Sequence, residues 1–134
     1  MWTNLALLFL RVVVGGLFIG HGTQKAFGWF GGTGIAGMAG WLESMGLKPG
    51  KLHATAAATF EILGGLLLLV GFDTWIGAAM IVAVMLVAIK TAHLAKGVWN
   101  SNGGYEYNLT LIAVALVLAA TGPGAYSVSA LLSR

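Results

Sequence analysis

Four apolar runs dominate this chain, near residues 3–24, 53–71, 75–94 and 105–121. A membrane-crossing helix needs roughly 20 apolar residues, with a range of about 17–25. Each run is therefore read as a span. The connections carry turn and polar residues: KPGK at 48–51, GFD at 71–73 and NSNGGYE at 100–106. The link at 71–74 is short, so spans two and three form a tight antiparallel pair. Composition agrees. The chain is 58% hydrophobic and only 8% charged, whereas soluble domains carry about 25% charged residues. A soluble fold of this size could not bury so much apolar surface.

Between the first two spans lies a Gly-rich stretch and then an amphipathic one. Ile35, Met38, Leu42 and Met45 recur at helical spacing around Trp41 and Glu43. This predicts a short interfacial or re-entrant helix. The expected fold is thus all-α: one integral membrane domain over residues 1–134, a four-helix bundle with that extra helix. The opening MWTNLALLFLRVVVGGLFIG lacks a basic start and a small-residue cleavage site, so it is read as a retained span rather than a signal peptide. Trp2, Trp75 and Tyr126 would mark one membrane surface, and Trp29, Trp41, Trp99, Tyr105 and Tyr107 the other. Lys25, Lys48, Lys51 and Lys96 fall on the second side. The positive-inside rule makes that side cytoplasmic and both termini extracytoplasmic.

The polar residues inside the spans are the functional candidates, because charge in a bilayer is costly and usually faces the bundle interior. Arg11, Gly15, Phe18, His21, Gly22 and Lys25 share one helical face of span one. At about 1.5 Å per residue, Arg11 lies ~12 Å from one surface and Glu61, counted from the other, also ~12 Å deep. The expectation is that Arg11 and Glu61 meet, directly or through a polar ligand, at an intramembrane site. A structural role for both, with Arg11 snorkelling and Glu61 bonded to a neighbouring helix, is the competing reading. On span three, Lys90 and His93 share a face, and His93 falls at the depth of His21. Glu106 and Asn108 open span four at that level. With Trp41 on the short helix, these residues would form a polar mouth to a ligand site.

Other signals carry little. GTGIAG at 32–37 matches a dinucleotide-loop pattern but follows no strand. NLT at 108–110 begins a span, so it is a poor glycosylation site. Gly64, Gly65 and Ala57 suit close helix packing. With no cysteine, the chain carries no disulfide, thiol nucleophile or iron–sulfur cluster. The net charge of +3 is scattered and does not suggest nucleic acid. No metal site is expected, although His21 and His93 at matched depth leave haem ligation as an alternative.

Together, LRVVVGGLFIGHGTQKAFGWFGG, WLESMGL, FEILGGLLLLVGF, HLAKGVW and GPGAYSV resemble, in order and spacing, the DoxX family of small bacterial membrane proteins. The resemblance covers most of the chain. It implies a four-helix membrane bundle in the bacterial inner membrane, with links to quinone-coupled oxidation as in thiosulfate:quinone oxidoreductase subunits, or to membrane assemblies of thiol and superoxide defence. The family pattern falls on Arg11, His21, Lys25, Glu61, His93 and Glu106. Any thiol chemistry would belong to a partner.

Three functions compete. In the first, the chain is a quinone- or quinol-binding subunit of an oxidoreductase, with no redox cofactor of its own. His21 or Lys25 would donate to a quinone carbonyl, Glu61 and Glu106 would relay protons, and Arg11 would hold negative charge. Lys25, Lys90, His93, Trp41 and Asn108 would complete the ligand contacts. In the second, Arg11, Glu61, Lys90 and Glu106 form a translocation path of a small-molecule carrier, for which four helices are few unless the chain forms a homodimer. In the third, the chain anchors a soluble redox enzyme. Expected partners are the lipid bilayer and a soluble or membrane redox protein.

Overall fold

A computed structural model describes residues 1–134. The protein is all-helical. The main helices are α1 (Trp2–Phe27), α2 (Gly34–Ser44), α3 (Gly50–Val70), α4 (Thr74–Ala88), α5 (Glu106–Thr121) and the short α6 (Val128–Leu132). Beyond Ala88, α4 widens into a π turn, Ile89–His93, and then tightens into a 3-10 turn, Leu94–Lys96. Trp2–Phe27, Gly50–Val70 and Thr74–Lys96 are long and apolar enough to cross a membrane, with mean hydropathies of 1.9, 1.6 and 2.0. The fourth apolar run forms the 16-residue α5, just under the usual span length of about 17–25 residues.

Helix ends follow local chemistry. Gly28 closes α1 in the left-handed conformation, at φ 73°, with its N–H bonded to Gln24 O. Gly71 does the same for α3 at φ 72°. Glycine reaches that conformation without the steric penalty other residues incur. Pro49 precedes the first turn of α3, where its missing N–H costs nothing.

Small residues set the register. A Cβ on Gly15 would lie 2.7 Å from Gly65 O, and a Cβ on Gly65 would lie 2.7 Å from Gly15 O. The α1 and α3 backbones therefore touch, as small residues permit between membrane helices. Gly64 and Gly77 bring α3 and α4 together in the same way. Ala57 differs from the expectation. It lines a cavity, while Ala54 and Ala58 are the fully packed alanines of this stretch.

The core is apolar and drawn from four helices: Val14 and Phe18 of α1, Leu68 of α3, Ala78, Ile81 and Met85 of α4, and Leu111, Ala115 and Leu118 of α5. Leu5, Phe9, Leu66, Leu86 and Leu116 are among many large apolar residues left exposed. A hydrocarbon solvent for the outer faces accounts for them. α2 packs across α1 and α3 at the lysine-bearing end and buries only Leu42 completely.

Candidate functional site

α1 and α3 run antiparallel, and two buried charges on them find different partners. Arg11 is 1% exposed. Its Nη1 donates to Leu69 O at 3.1 Å and to Leu68 O at 3.4 Å, and Nη2 donates to Tyr126 O. These carbonyls end α3 and begin the C-terminal segment. A helix C-terminus presents unpaired carbonyls and a partial negative charge, so a guanidinium fits there without a carboxylate. Asn4 and Gly71 hold the same segment through Ala125 N to Asn4 Oδ1, 3.0 Å, and Ser129 N to Gly71 O, 3.0 Å.

Glu61, 2% exposed, pairs with Lys25 instead. Lys25 Nζ lies 2.9 Å from Oε1 and 2.8 Å from Oε2. The expected Arg11–Glu61 meeting is therefore corrected, and the reason is geometric. With Gly15 against Gly65, Glu61 stands opposite residue 19 of α1, so its backbone is about eight residues, or ~12 Å, from the level of Arg11. Helical side chains also lean toward their own N-terminus. On antiparallel helices Arg11 and Glu61 lean apart, while Lys25 and Glu61 lean together.

The Lys25–Glu61 pair sits on the wall of a cavity of about 370 Å³ in the lysine-bearing half of the molecule. Of its 23 lining residues, 16 are hydrophobic, so the polar groups among them decide what it can orient. α1 contributes Phe18, His21 and Lys25, and α2 closes one side with Met38, Trp41 and Leu42. α3 supplies His53, Phe60 and Glu61; His93 and Asn108 come from the ends of α4 and α5. Phe60 of α3 and Val87 of α4 both line the cavity and remain exposed, so its wall reaches the lipid-facing surface on these two helices.

Among the candidates named from the sequence, His21, Lys25, Trp41, Glu61, His93 and Asn108 come together around this cavity. His21 Nδ1 lies 3.2 Å from Gln24 Oε1, and His93 Nδ1 lies 2.8 Å from Gly103 O. Asn108 Nδ2 donates to Met85 Sδ at 3.5 Å. Arg11, Lys90 and Glu106 do not line it. Lys90 is exposed in an adjoining depression. Glu106 is exposed and accepts from Asn100 N at 3.0 Å, within the turn before α5. The supposed path through Arg11, Glu61, Lys90 and Glu106 is thus not a continuous file. No three His, Cys, Asp or Glu side chains approach closely enough to hold a metal ion.

His53 and Tyr107 also line the cavity and were missed from the sequence. A signal for His53 existed, since it precedes Glu61 by eight residues, two helical steps of four. Tyr107, next to Asn108, was counted only as an interface aromatic.

Comparison with known proteins agrees with this membrane architecture. The chain is 34% identical over 133 residues to "Inner membrane protein YqjF" of Escherichia coli K12, covering 98% of this chain and 95% of that protein. It is 31% identical over 111 residues to "Putative oxidoreductase CatD" of Bacillus subtilis 168, covering 83% and 76%. "Inner membrane protein YphA" of Escherichia coli K12 is 29% identical over 129 residues, covering 90% and 86%. No solved structure matches significantly. The DoxX family profile matches residues 6–94, the part of the chain that holds most of α1, all of α2, α3 and α4, and the Lys25–Glu61 pair; the chain belongs to the DoxX family.

Proposed function

We propose that this membrane protein binds a quinone or quinol in the cavity beside Lys25 and Glu61, as a subunit of an oxidoreductase system in the bacterial inner membrane. The observation that carries the reading is an ion pair, its carboxylate buried, on the wall of a largely apolar cavity. A quinone needs an apolar slot reached from lipid, a donor for a carbonyl oxygen and a route for protons. The volume of about 370 Å³ lies within the ~300–1,000 Å³ of small-molecule sites. Lys25 Nζ is the donor at hand, Glu61 the adjacent proton acceptor and His21 the next titratable group along α1. Reduction to the quinol takes two electrons and two protons. The electrons come from a redox partner and the protons pass through Lys25, Glu61 and His21. One relative bears an oxidoreductase name, which supports this class. Arg11 and Glu106 have no part in this reading, because one is held by backbone carbonyls and the other faces out.

The test is a titration of a short-chain quinone into purified protein in mild detergent, read as a thermal shift. Wild type should give a saturable shift. Folded Glu61→Gln and Lys25→Met variants should lose it. A null result across ubiquinone, menaquinone and their quinols would reject the quinone and favour the anchor reading.

A further inference from the structure

A second depression, of about 300 Å³, adjoins the mouth of the cavity. The two share Trp41, Thr91, Ala92 and His93 as lining residues, so they lie side by side. The depression is lined by Lys90, His93 and Lys96, with Met45 and Leu94 beside them, and no acidic residue. Lys25–Glu61 is the chain's one ion pair, so neither Lys90 nor Lys96 has a carboxylate partner. Across both spaces there are three lysines, Lys25, Lys90 and Lys96, against the single carboxylate of Glu61. The surplus cations are gathered at the mouth. Lys90 and His93 lie in the π turn Ile89–His93, a distortion that recurs at functional positions, and Lys96 ends the 3-10 turn that follows.

A largely apolar chamber beside a basic depression matches an amphiphile with an anionic head. We propose that the mouth, Lys90, His93 and Lys96, binds the phosphate of an anionic membrane lipid, one of whose chains enters the cavity between α3 and α4. Lysines near an anionic headgroup attract it without a fixed geometry, and the exposed Phe60 and Val87 give the chain its way in from the bilayer. The proposal stands apart from the quinone reading, since a neutral quinone makes no use of the mouth's lysines. The two ligands would compete for the cavity.

The experiment is native mass spectrometry of delipidated protein in mild detergent. It is titrated with phosphatidylglycerol, with phosphatidylcholine and with inorganic phosphate. Lys90→Gln/Lys96→Gln is compared with wild type and with Lys48→Gln/Lys51→Gln, which neutralises two exposed lysines outside the depression. Phosphatidylglycerol should be retained over phosphatidylcholine, and binding should weaken roughly thirtyfold in Lys90→Gln/Lys96→Gln alone, the order expected for two lysines at an anionic headgroup. Ala88→Phe, which fills the chamber, should weaken both lipids. Equal loss in the control variant, or no preference between the lipids, would overturn the site. Displacement of phosphatidylglycerol by inorganic phosphate at similar concentration would overturn the lipid assignment in favour of a soluble phosphate.

Discussion

Arg11 and Glu61 are both buried charges on the packed pair α1 and α3, yet they do opposite things. At the end bearing the termini, every observed partner of Arg11 is a backbone carbonyl fixed by helix geometry. Gly71 packs against the guanidinium; a Cβ there would collide with it. At the lysine-bearing end, Glu61 meets another side chain, and the pair borders a cavity. Backbone partners cannot leave, change protonation or make room. Side-chain partners beside a void can do all three. Intramembrane charge alone therefore does not point to a binding site; a side-chain partner beside a cavity is the stronger pointer.

Substitutions can sharpen or break this contrast. Arg11→Met should be the most damaging, since it removes the donor for three carbonyls and the tie to the C-terminal segment. We expect a loss of about 3 kcal/mol or more, on the scale of broken buried charge interactions, seen as lower yield and a lower unfolding midpoint in detergent. Ligand binding by whatever fraction folds should be unchanged. Gly15→Val comes next. It forces α1 away from Gly65 and should cost about 1–3 kcal/mol as an overpacked contact, measured by the same unfolding assay. Glu61→Gln should cost less, roughly 1–2 kcal/mol for a weakened buried hydrogen bond, because Lys25 keeps 22% side-chain exposure. Its effect on ligand titration should be total. Glu106→Gln should shift stability by no more than about 0.5 kcal/mol, as for an exposed position, and leave ligand titration intact. A large binding defect there would return Glu106 to the site.

Much of the architecture was legible because hydropathy directly reports the helices' solvent. The spanning helices, the short α2 and the family all follow from runs, spacings and glycines along the chain. Register was not legible in that way. Counting depth from each surface put Arg11 and Glu61 level. The true register comes from the Gly15–Gly65 contact, which a count from surfaces ignores. Lys25 and Glu61 were both named, but their meeting depends on side-chain lean as well as position. Glu106 was misplaced for a different reason. The chain before α5 folds back on itself through Tyr105 N to Gly97 O and Glu106 N to Val98 O, and no periodicity announces such a turn. The π turn after Ala88 is equally silent in a hydropathy pattern, yet it shapes the mouth of the cavity.

The most direct test is a pair of double-mutant cycles on unfolding free energy in detergent. One joins Lys25→Met with Glu61→Gln, the other Arg11→Lys with Glu61→Gln. Contacting residues couple by about 0.5–3 kcal/mol, whereas distant ones add to within about 0.5 kcal/mol. The structure predicts clear coupling, above about 1 kcal/mol, between Lys25 and Glu61, and additivity between Arg11 and Glu61. Strong coupling in the Arg11 cycle with none in the Lys25 cycle would contradict the register and the site built on it.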